Sequence, residues 1–374
     1  LLSLSDVAPQ VTAAMKRWAA REQSREAACE ALLALTRLAP DPALRHRKAS
    51  FLVAHSTLDE PLASAYPAPA IPPAYIVVAT DGSQIVPDRH DGFEGIGLVH
   101  TGRVRLVYGT GERAHLDAIA EVFFDDEDED SEPGSAGRLA LRRLCGELET
   151  LAGLAEEAAR SGLPTLALTD GSLIAWMLDD REEQGGRDDP RKRTARESLL
   201  TSLSRCRACG VPVAGYVSGP GSRDGVNGLR LTDLESYPDV GLTDARLFSK
   251  LLAPGERGPL LSARGRESGI PHVLRHYDEH FIEFFYLNVG AEIARIELPL
   301  WATESHLDLV HALCLDQARK GRGYPVALTE AHERAVVREP DRQAFLSLLT
   351  HSAVKSKLAP TLTRKALAKR TRIL

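Results

Sequence analysis

The feature that most constrains this chain is a pattern written twice: a short apolar run that closes on Asp-Gly-Ser. Tyr75 to Gln84 reads YIVVATDGSQ, and Thr165 to Leu173 reads TLALTDGSL. An apolar run bounded by turn residues is the pattern of a buried strand. A Gly after the Asp lets the backbone turn without steric penalty. Each unit is therefore expected to set one carboxylate, Asp81 or Asp170, at the carboxyl end of a core strand, where open α/β sheets gather their ligands. One Asp-Gly alone reads more simply as an aspartate shaping its own turn. Two carboxylates buried near one another repel unless a metal ion or a shared proton neutralises them.

The segment leading into the second unit, Gly137 to Arg160, predicts a helix whose apolar stripe is Leu141, Leu144, Leu148, Leu151 and Ala155. At about 100° per residue, Glu147 lies roughly 50° from the centre of that stripe and Glu149 about 150° away. Glu149 should face water. Glu147 sits at the edge of the buried face, where a carboxylate needs a partner; on position alone it is also an ordinary flank glutamate. Late in the chain, GRGY (residues 321–324) makes a turn and Pro325 is placed to open a helix as its first residue. Tyr324 and His332 are eight residues apart, about two helical turns, so both are expected near one face. The plainer reading packs Tyr324 and leaves His332 on the surface.

The rest of the chain fills in around these segments. Residues 6–39 read as an N-terminal helical arm with Val11, Ala14, Met15, Trp18 and Ala19 at helical spacing, followed by a stiff connection through Pro67, Pro69, Pro72 and Pro73. Leu98–His100 and Val104–Tyr108 are expected as a hairpin turned by Thr101 and Gly102, with another strand at Val122–Phe124. Further helices are expected at 174–178, 196–208, 242–253, 259–263 and 306–319, and strands at 211–217, 281–289 and 293–298, with SGPGSRDGVNG as a loop. His272, His276 and His280 recur every fourth residue. On a helix they would share one face and could hold a metal, but a strand-like run follows at once, and surface or satisfied histidines explain them equally simply.

Bulk properties narrow the class. A chain of 374 residues, 43% hydrophobic and 26% charged, reads as a globular protein of one large domain or two. No apolar run is long enough to span a bilayer, and Lys16, Arg17, Arg21 and Glu22 interrupt any secretory signal. Five Cys fit a reducing compartment without a disulfide framework, hence a cytoplasmic setting. The lone Cys206–Cys209 pair lacks the further ligands of a closed zinc site. A net charge of −6 does not advertise nucleic-acid binding, yet charge is segregated: residues 125–132 read DDEDEDSE, while Lys355, Lys357, Arg364, Lys365, Lys369, Arg370 and Arg372 make the tail basic. No P-loop, GxSxG or HExxH pattern is present.

Taken in order, ATDGSQIVPDRH, LVYG, ALTDGSLIAW, YVSGPGSRDGVNGLR, FFYLNVGAEIARIELPLW and GYPVALTEAH resemble the NurA nuclease family over about Tyr75 to Val337. The resemblance implies an α/β fold with an RNase H-like core, whose mixed central sheet is flanked by helices. To this the sequence adds the N-terminal helical arm and a C-terminal helical extension. The expected organisation is an arm over 1–66, the nuclease domain over 67–340, and a helix with a basic tail over 341–374. The resemblance also implies a manganese-dependent deoxyribonuclease, with Mg²⁺ a possible substitute. It would resect double-stranded ends 5′ to 3′ and cut single strands during double-strand break repair, as a homodimer beside a HerA-type hexameric ATPase that translocates DNA. The family's two aspartates fall on Asp81 and Asp170, and its helix-borne glutamate on Glu147, with Glu149 open by matching alone. Its late tyrosine and histidine fall on Tyr324 and His332. The implied roles are Asp81, Glu147, Asp170 and His332 as metal ligands and Tyr324 as a phosphate-positioning group. The number of metal ions is open. Hard divalent ions favour such oxygen donors. Arg223 and the tail cations are candidates for phosphate contacts. Two other readings remain. An actin-like ATP-binding phosphotransferase also places an Asp-Gly turn after a strand, but leaves Tyr324 and His332 without a role. A non-catalytic adaptor of the ATPase has no need of the ligand set.

Overall fold

The structure is a computed structural model; it describes residues 3–39, 51–86, 93, 95–124, 136–179, 189–264 and 272–358. The acidic block at 125–132 and the tail cations from Arg364 onward lie outside the described residues. The helices are α1 (Leu4–Thr36), α2 (Ala136–Ala159), α3 (Pro190–Ala208), α4 (Asp224–Arg230), α5 (Asp244–Leu251), α6 (Leu300–Lys320), α7 (Val326–Ala335) and α8 (Glu339–Lys355). The strands are β1 (Val53–Ser56), β2 (Tyr75–Ile85), β3 (Ile96–Tyr108), β4 (His115–Phe124), β5 (Thr165–Asp170), β6 (Val213–Val217), β7 (Leu261–Arg264), β8 (Ile282–Asn288) and β9 (Ile293–Pro299), with both parallel and antiparallel pairing among them. This is the expected α/β class, with the long N-terminal helix and the C-terminal helices in place.

The chain divides into two compact units. One comprises Pro72–Asp170, Glu182–Ala214 and Tyr324–Leu374. Its strands run β5-β2-β3-β4. β2 and β3 pair antiparallel from Tyr75↔Tyr108 to Ile85↔Leu98, β3 and β4 pair antiparallel, and β2 pairs in parallel with β5 from Ile76↔Thr165 to Thr80↔Thr169. The run Ile76 to Ala79 is wholly buried, as are Leu166, Ala167 and Leu168. β-branched and aliphatic residues covered on both faces favour such central strands. Helix α2 buries Leu148, Leu151, Ala152 and Ala155 against this sheet; of the predicted stripe, Leu148, Leu151 and Ala155 are buried, and Leu141 and Leu144 are half-buried.

The other unit comprises Leu1–Ile71, Gly171–Arg181 and Gly215–Gly323, with β1-β7-β8-β9 as antiparallel neighbours. The arm helix α1 joins its core only late: Cys29 and Leu32 pack with Val226 and Leu229 of α4 and with Leu242 and Leu247. Val11, Met15 and Trp18, apolar residues at helical spacing in the first half of α1, are exposed. Arg295 is buried between Asp224 and Glu297 at 3.0 and 2.8 Å, and Glu297 accepts from Ser172 Oγ and Leu173 N.

Six local expectations are corrected. The hairpin expected at 98–108 is one continuous strand, because Thr101 and Gly102 stay in the ladder opposite Gly82 and Asp81. The first Asp-Gly-Ser is not a turn: β2 runs through it to Ile85. Residues 261–264 form a strand instead of a helix, and SGPGSRDGVNG contains α4, whose Gly225 and Val226 N–H groups are capped by the Asp244 carboxylate. Residues 176–178 make only a single 3₁₀ turn. Pro325 caps α7 from the position before its first residue.

Candidate active site

The site forms where one strand outlasts its neighbour. Ile76 N donates to Pro164 O, and the two-residue repeat of a strand carries that direction to Val78, Thr80 and Gly82. β5, however, stops at Asp170, and the chain turns away through Gly171 at φ +87°, a backbone conformation that suits glycine. The N–H and C=O of Gly82 therefore open onto a notch beside β2 instead of a ladder. Side chains complete both: Asp81 Oδ1 accepts from Gly82 N at 2.8 Å, and Arg143 Nη1 donates to Gly82 O at 3.0 Å.

Three carboxylates border this notch. Asp81 and Asp170 each follow the last paired residues of the parallel ladder, Thr80 and Thr169, so the two aspartates end up on neighbouring strands. Glu147 reaches the notch from α2. Its backbone carbonyl is anchored by Thr80 Oγ1 at 3.0 Å, and its carboxylate accepts from Arg143 at 3.1 Å. Only 12% of the Glu147 side chain is exposed. Burial pushes its carboxyl up to about 7; Arg143 opposes that rise, while Asp81 and Asp170 add to it. Glu149 differs entirely. It is exposed, accepts from Ser198 Oγ at 2.6 Å, and lines a separate cleft of about 570 Å³ with Arg138, Arg142 and Arg191.

α7 closes the opposite face. By strand alternation, Asp81 and Ser83 point to one face of β2 and Thr80 and Gly82 to the other. α2 covers the Thr80 face and α7 the Asp81 face. Ser83 Oγ donates to Ala335 O, and His100 Nδ1 meets the same carbonyl at 3.0 Å. His332, 63% exposed, places Nδ1 at 2.8 Å from Asp81 Oδ2. Gly102, directly across from Asp81, makes this approach possible, because a Cβ there would collide with the Ala331 carbonyl and Ala335 N.

Of the predicted residues, the structure thus gathers Asp81, Glu147, Asp170 and His332 around one notch, with a direct bond only between Asp81 and His332. Tyr324 is half-buried and precedes α7, so the helical spacing argument linking it to His332 does not hold as drawn. Among the described residues no three His, Cys, Asp or Glu side chains stand close enough to enclose a metal ion. Residues 272–276 and 278–280 form two short 3₁₀ turns and not the continuous helix that would align these histidines, and His280 Nδ1 accepts from Trp301 Nε1, in line with the simpler reading of a satisfied histidine. Arg223 Nη1 donates to both carboxylate oxygens of Asp239, at 2.7 and 2.8 Å. Sequence reasoning missed Arg143, although its position four residues before Glu147 is a readable signal.

A profile of the NurA domain family matches residues 75–337. A search of curated protein sequences finds no match. Among solved structures, the chain is similar to the NurA nuclease from Sulfolobus solfataricus, with a TM-score of 0.48 and 14% identity, covering 84% of this chain and 90% of that one. It is similar to a second structure titled NurA, with a TM-score of 0.47 and 11% identity, covering 93% and 98%. A type 1 RNase H, LC9-RNase H1, gives a TM-score of 0.23 and 13% identity, covering 49% and 82%.

Proposed function

This chain belongs to the NurA family, and from that premise we propose that it is a divalent-metal-dependent deoxyribonuclease whose centre is the notch at Gly82. Its fold is α/β with an RNase H-like core. The observation that carries the reading is the meeting of Asp81, Asp170 and Glu147 around one break in the sheet, with a carboxyl at Glu147 that burial, and to a smaller extent Asp81 and Asp170, pushes up to about 7. Carboxylates crowded in this way are a donor set suited to a hard cation, and the chemistry of the residues present fits manganese or magnesium. Asp81, Glu147, Asp170 and His332 would hold it. Bound there, such an ion supplies charge neutralisation at the scissile phosphate and an acidified water.

The chain's own residues prepare that chemistry. The Gly82 amide orients Asp81 by holding Oδ1, which leaves Oδ2 to His332. His332, largely exposed, is positioned to orient or accept the proton of an attacking water. Thr80 fixes the α2 backbone at Glu147, which keeps the base of that side chain beside the notch. Tyr324, at the start of the same segment as His332, is assigned to the phosphate of the substrate.

The finer properties rest on family membership. These are manganese as the preferred ion, 5′ to 3′ resection of double-stranded ends, endonucleolytic cutting of single strands, homodimerisation, and work beside a HerA-type hexameric ATPase. The nuclease domain is assigned to 67–340, with 1–66 and 341–374 as flanking arm and extension. All described cysteines are free, in keeping with a reducing cytoplasmic setting, and no described helix is long and apolar enough to cross a membrane.

A cleavage assay with Mn²⁺ on single- and double-stranded DNA, comparing the natural chain with Asp81→Ala and Asp170→Ala, tests the proposal. Cutting by the natural chain and none by either variant is the expected result. Cutting at the natural rate by both variants would sink it. ATP hydrolysis without DNA cutting would point to the phosphotransferase reading, and the absence of both activities to an adaptor.

A further inference from the structure

Arg143 stands at the centre of the notch without a place in the proposed hydrolysis. It bridges a helix and a strand: one guanidinium nitrogen serves both the Gly82 carbonyl, at 3.0 Å, and the Glu147 carboxylate, at 3.1 Å. Its stem crosses directly over Gly82, where an added Cβ would lie 2.8 Å from Arg143 Cγ. The Gly82 carbonyl has no strand partner on that side, because β5 has ended. The guanidinium therefore occupies a position set by the sheet and the carboxylates together, beyond what an ordinary i,i+4 surface pair requires. Glu147 is largely buried while 37% of the Arg143 side chain is exposed, so the cation has an open route out and the carboxylate does not.

Resting on the metal-nuclease reading above, we infer that Arg143 is a resident counter-cation. It is a positioning residue that holds Glu147 over Gly82 while no divalent ion is bound and that a divalent ion must displace on entry. Three carboxylates bordering one notch raise one another's cost of ionisation, and positive charge offsets it in either state. A guanidinium is always charged and its planar fork suits a shared carbonyl and carboxylate. Its positive charge a few ångströms from a ligand oxygen also repels an incoming divalent cation, so the same contact that keeps the metal-free site ordered weakens the metal's hold.

Titration calorimetry with Mn²⁺ alone, on the full chain, reads this directly in Arg143→Gln and Arg143→Lys. Glutamine can still donate to the Gly82 carbonyl but carries no charge, and lysine keeps the charge. Arg143→Gln is expected to bind Mn²⁺ on the order of tenfold more tightly than the natural chain, whereas Arg143→Lys stays close to it. In chelator, Arg143→Gln melts lower than the natural chain, and saturating Mn²⁺ raises its melting temperature by the larger increment. A residue that only braces the fold would give unchanged or weaker metal binding in Arg143→Gln. That result, or a lysine variant indistinguishable from the glutamine one, overturns the inference while leaving the nuclease reading intact. No Mn²⁺ binding by the natural chain removes both.

Discussion

The carboxylate of Glu147 occupies the space in which a side chain at Gly82 would stand: a Cβ built on Gly82 runs into Glu147 Oε1. Gly82 does not lie in the left-handed region, so glycine is required here for room and not for backbone conformation. Gly82→Ala should therefore act on the site before the fold. Overpacking of this kind costs about 1–3 kcal/mol, and the flexible end of Glu147 can give way, which puts the loss at the lower end. The expected outcome is a melting temperature lowered by a few degrees with kcat/KM reduced at least tenfold; unchanged cleavage would detach Glu147 from the chemistry.

Gly102→Ala should be worse for stability. Its Cβ would meet backbone, the Ala331 carbonyl and Ala335 N, instead of a side chain. α7 would have to lift off β3, and His332 would leave Asp81 with it. Urea unfolding of the two glycine variants should rank Gly102→Ala as the more destabilised. The opposite ranking would mean that α7 yields more easily than its bonds to β2 and β3 imply.

The helix-face argument makes Glu147→Ala and Glu149→Ala a matched pair. Glu147→Ala should eliminate cleavage, and Glu149→Ala should leave most of it, since Glu149 is turned to Ser198. Asp81→Ala should also eliminate cleavage and keep a cooperative thermal transition, because it removes a repelling charge along with its bonds to Gly82 and His332. Rates on a labelled oligonucleotide decide all three. A Glu149 variant more damaged than the Glu147 variant would reverse the assignment.

Acid should destabilise the chain partly through His311 of α6. Its Nε2 meets the Gly255 carbonyl at 3.0 Å, its Nδ1 has no partner, and burial pulls its pKa down to about 4; Arg257 and Arg319 reinforce that fall, while Asp308 opposes it. Below the ordinary value of 6.5 the unfolded chain takes up a proton that the folded chain refuses, so stability falls as pH drops from about 6.5 toward 4, by about 3 kcal/mol in all. Asp244, raised to about 6 by burial, acts in the opposite sense over an overlapping range, so only a comparison of variants isolates the histidine. Denaturant melts of His311→Gln from pH 7 to 4 should show a shallower acid loss than the natural chain. Parallel curves would refute the assignment.

The sequence was most legible where one physical signal decided the outcome. The apolar runs at 75–80 and 165–169, the α2 stripe and the paired strands at 282–299 carry burial in their residue pattern. The placement of Asp81 and Asp170 on neighbouring core strands was legible through their repetition. It was least legible where tertiary neighbours overrule local preference. Thr101-Gly102 and Asp81-Gly82 have the composition of turns, yet both stay extended, because α7 and α2 press so closely on the sheet that only glycine fits beneath them. Val11, Met15 and Trp18 have the spacing of a buried face but no described partner to bury them. Arg143 was overlooked because its role depends on a strand ending beside it, which local sequence does not encode.

The bond between Asp81 and His332 joins residues separated by 251 positions, and it has a consequence during synthesis. The strand bearing the first aspartate leaves the ribosome long before the helix bearing the histidine. Until that helix has emerged and settled onto β2 and β3, Asp81 is without its His332 partner. Under the proposed function, a copy terminated before α7 would lack His332 and is expected not to cleave DNA.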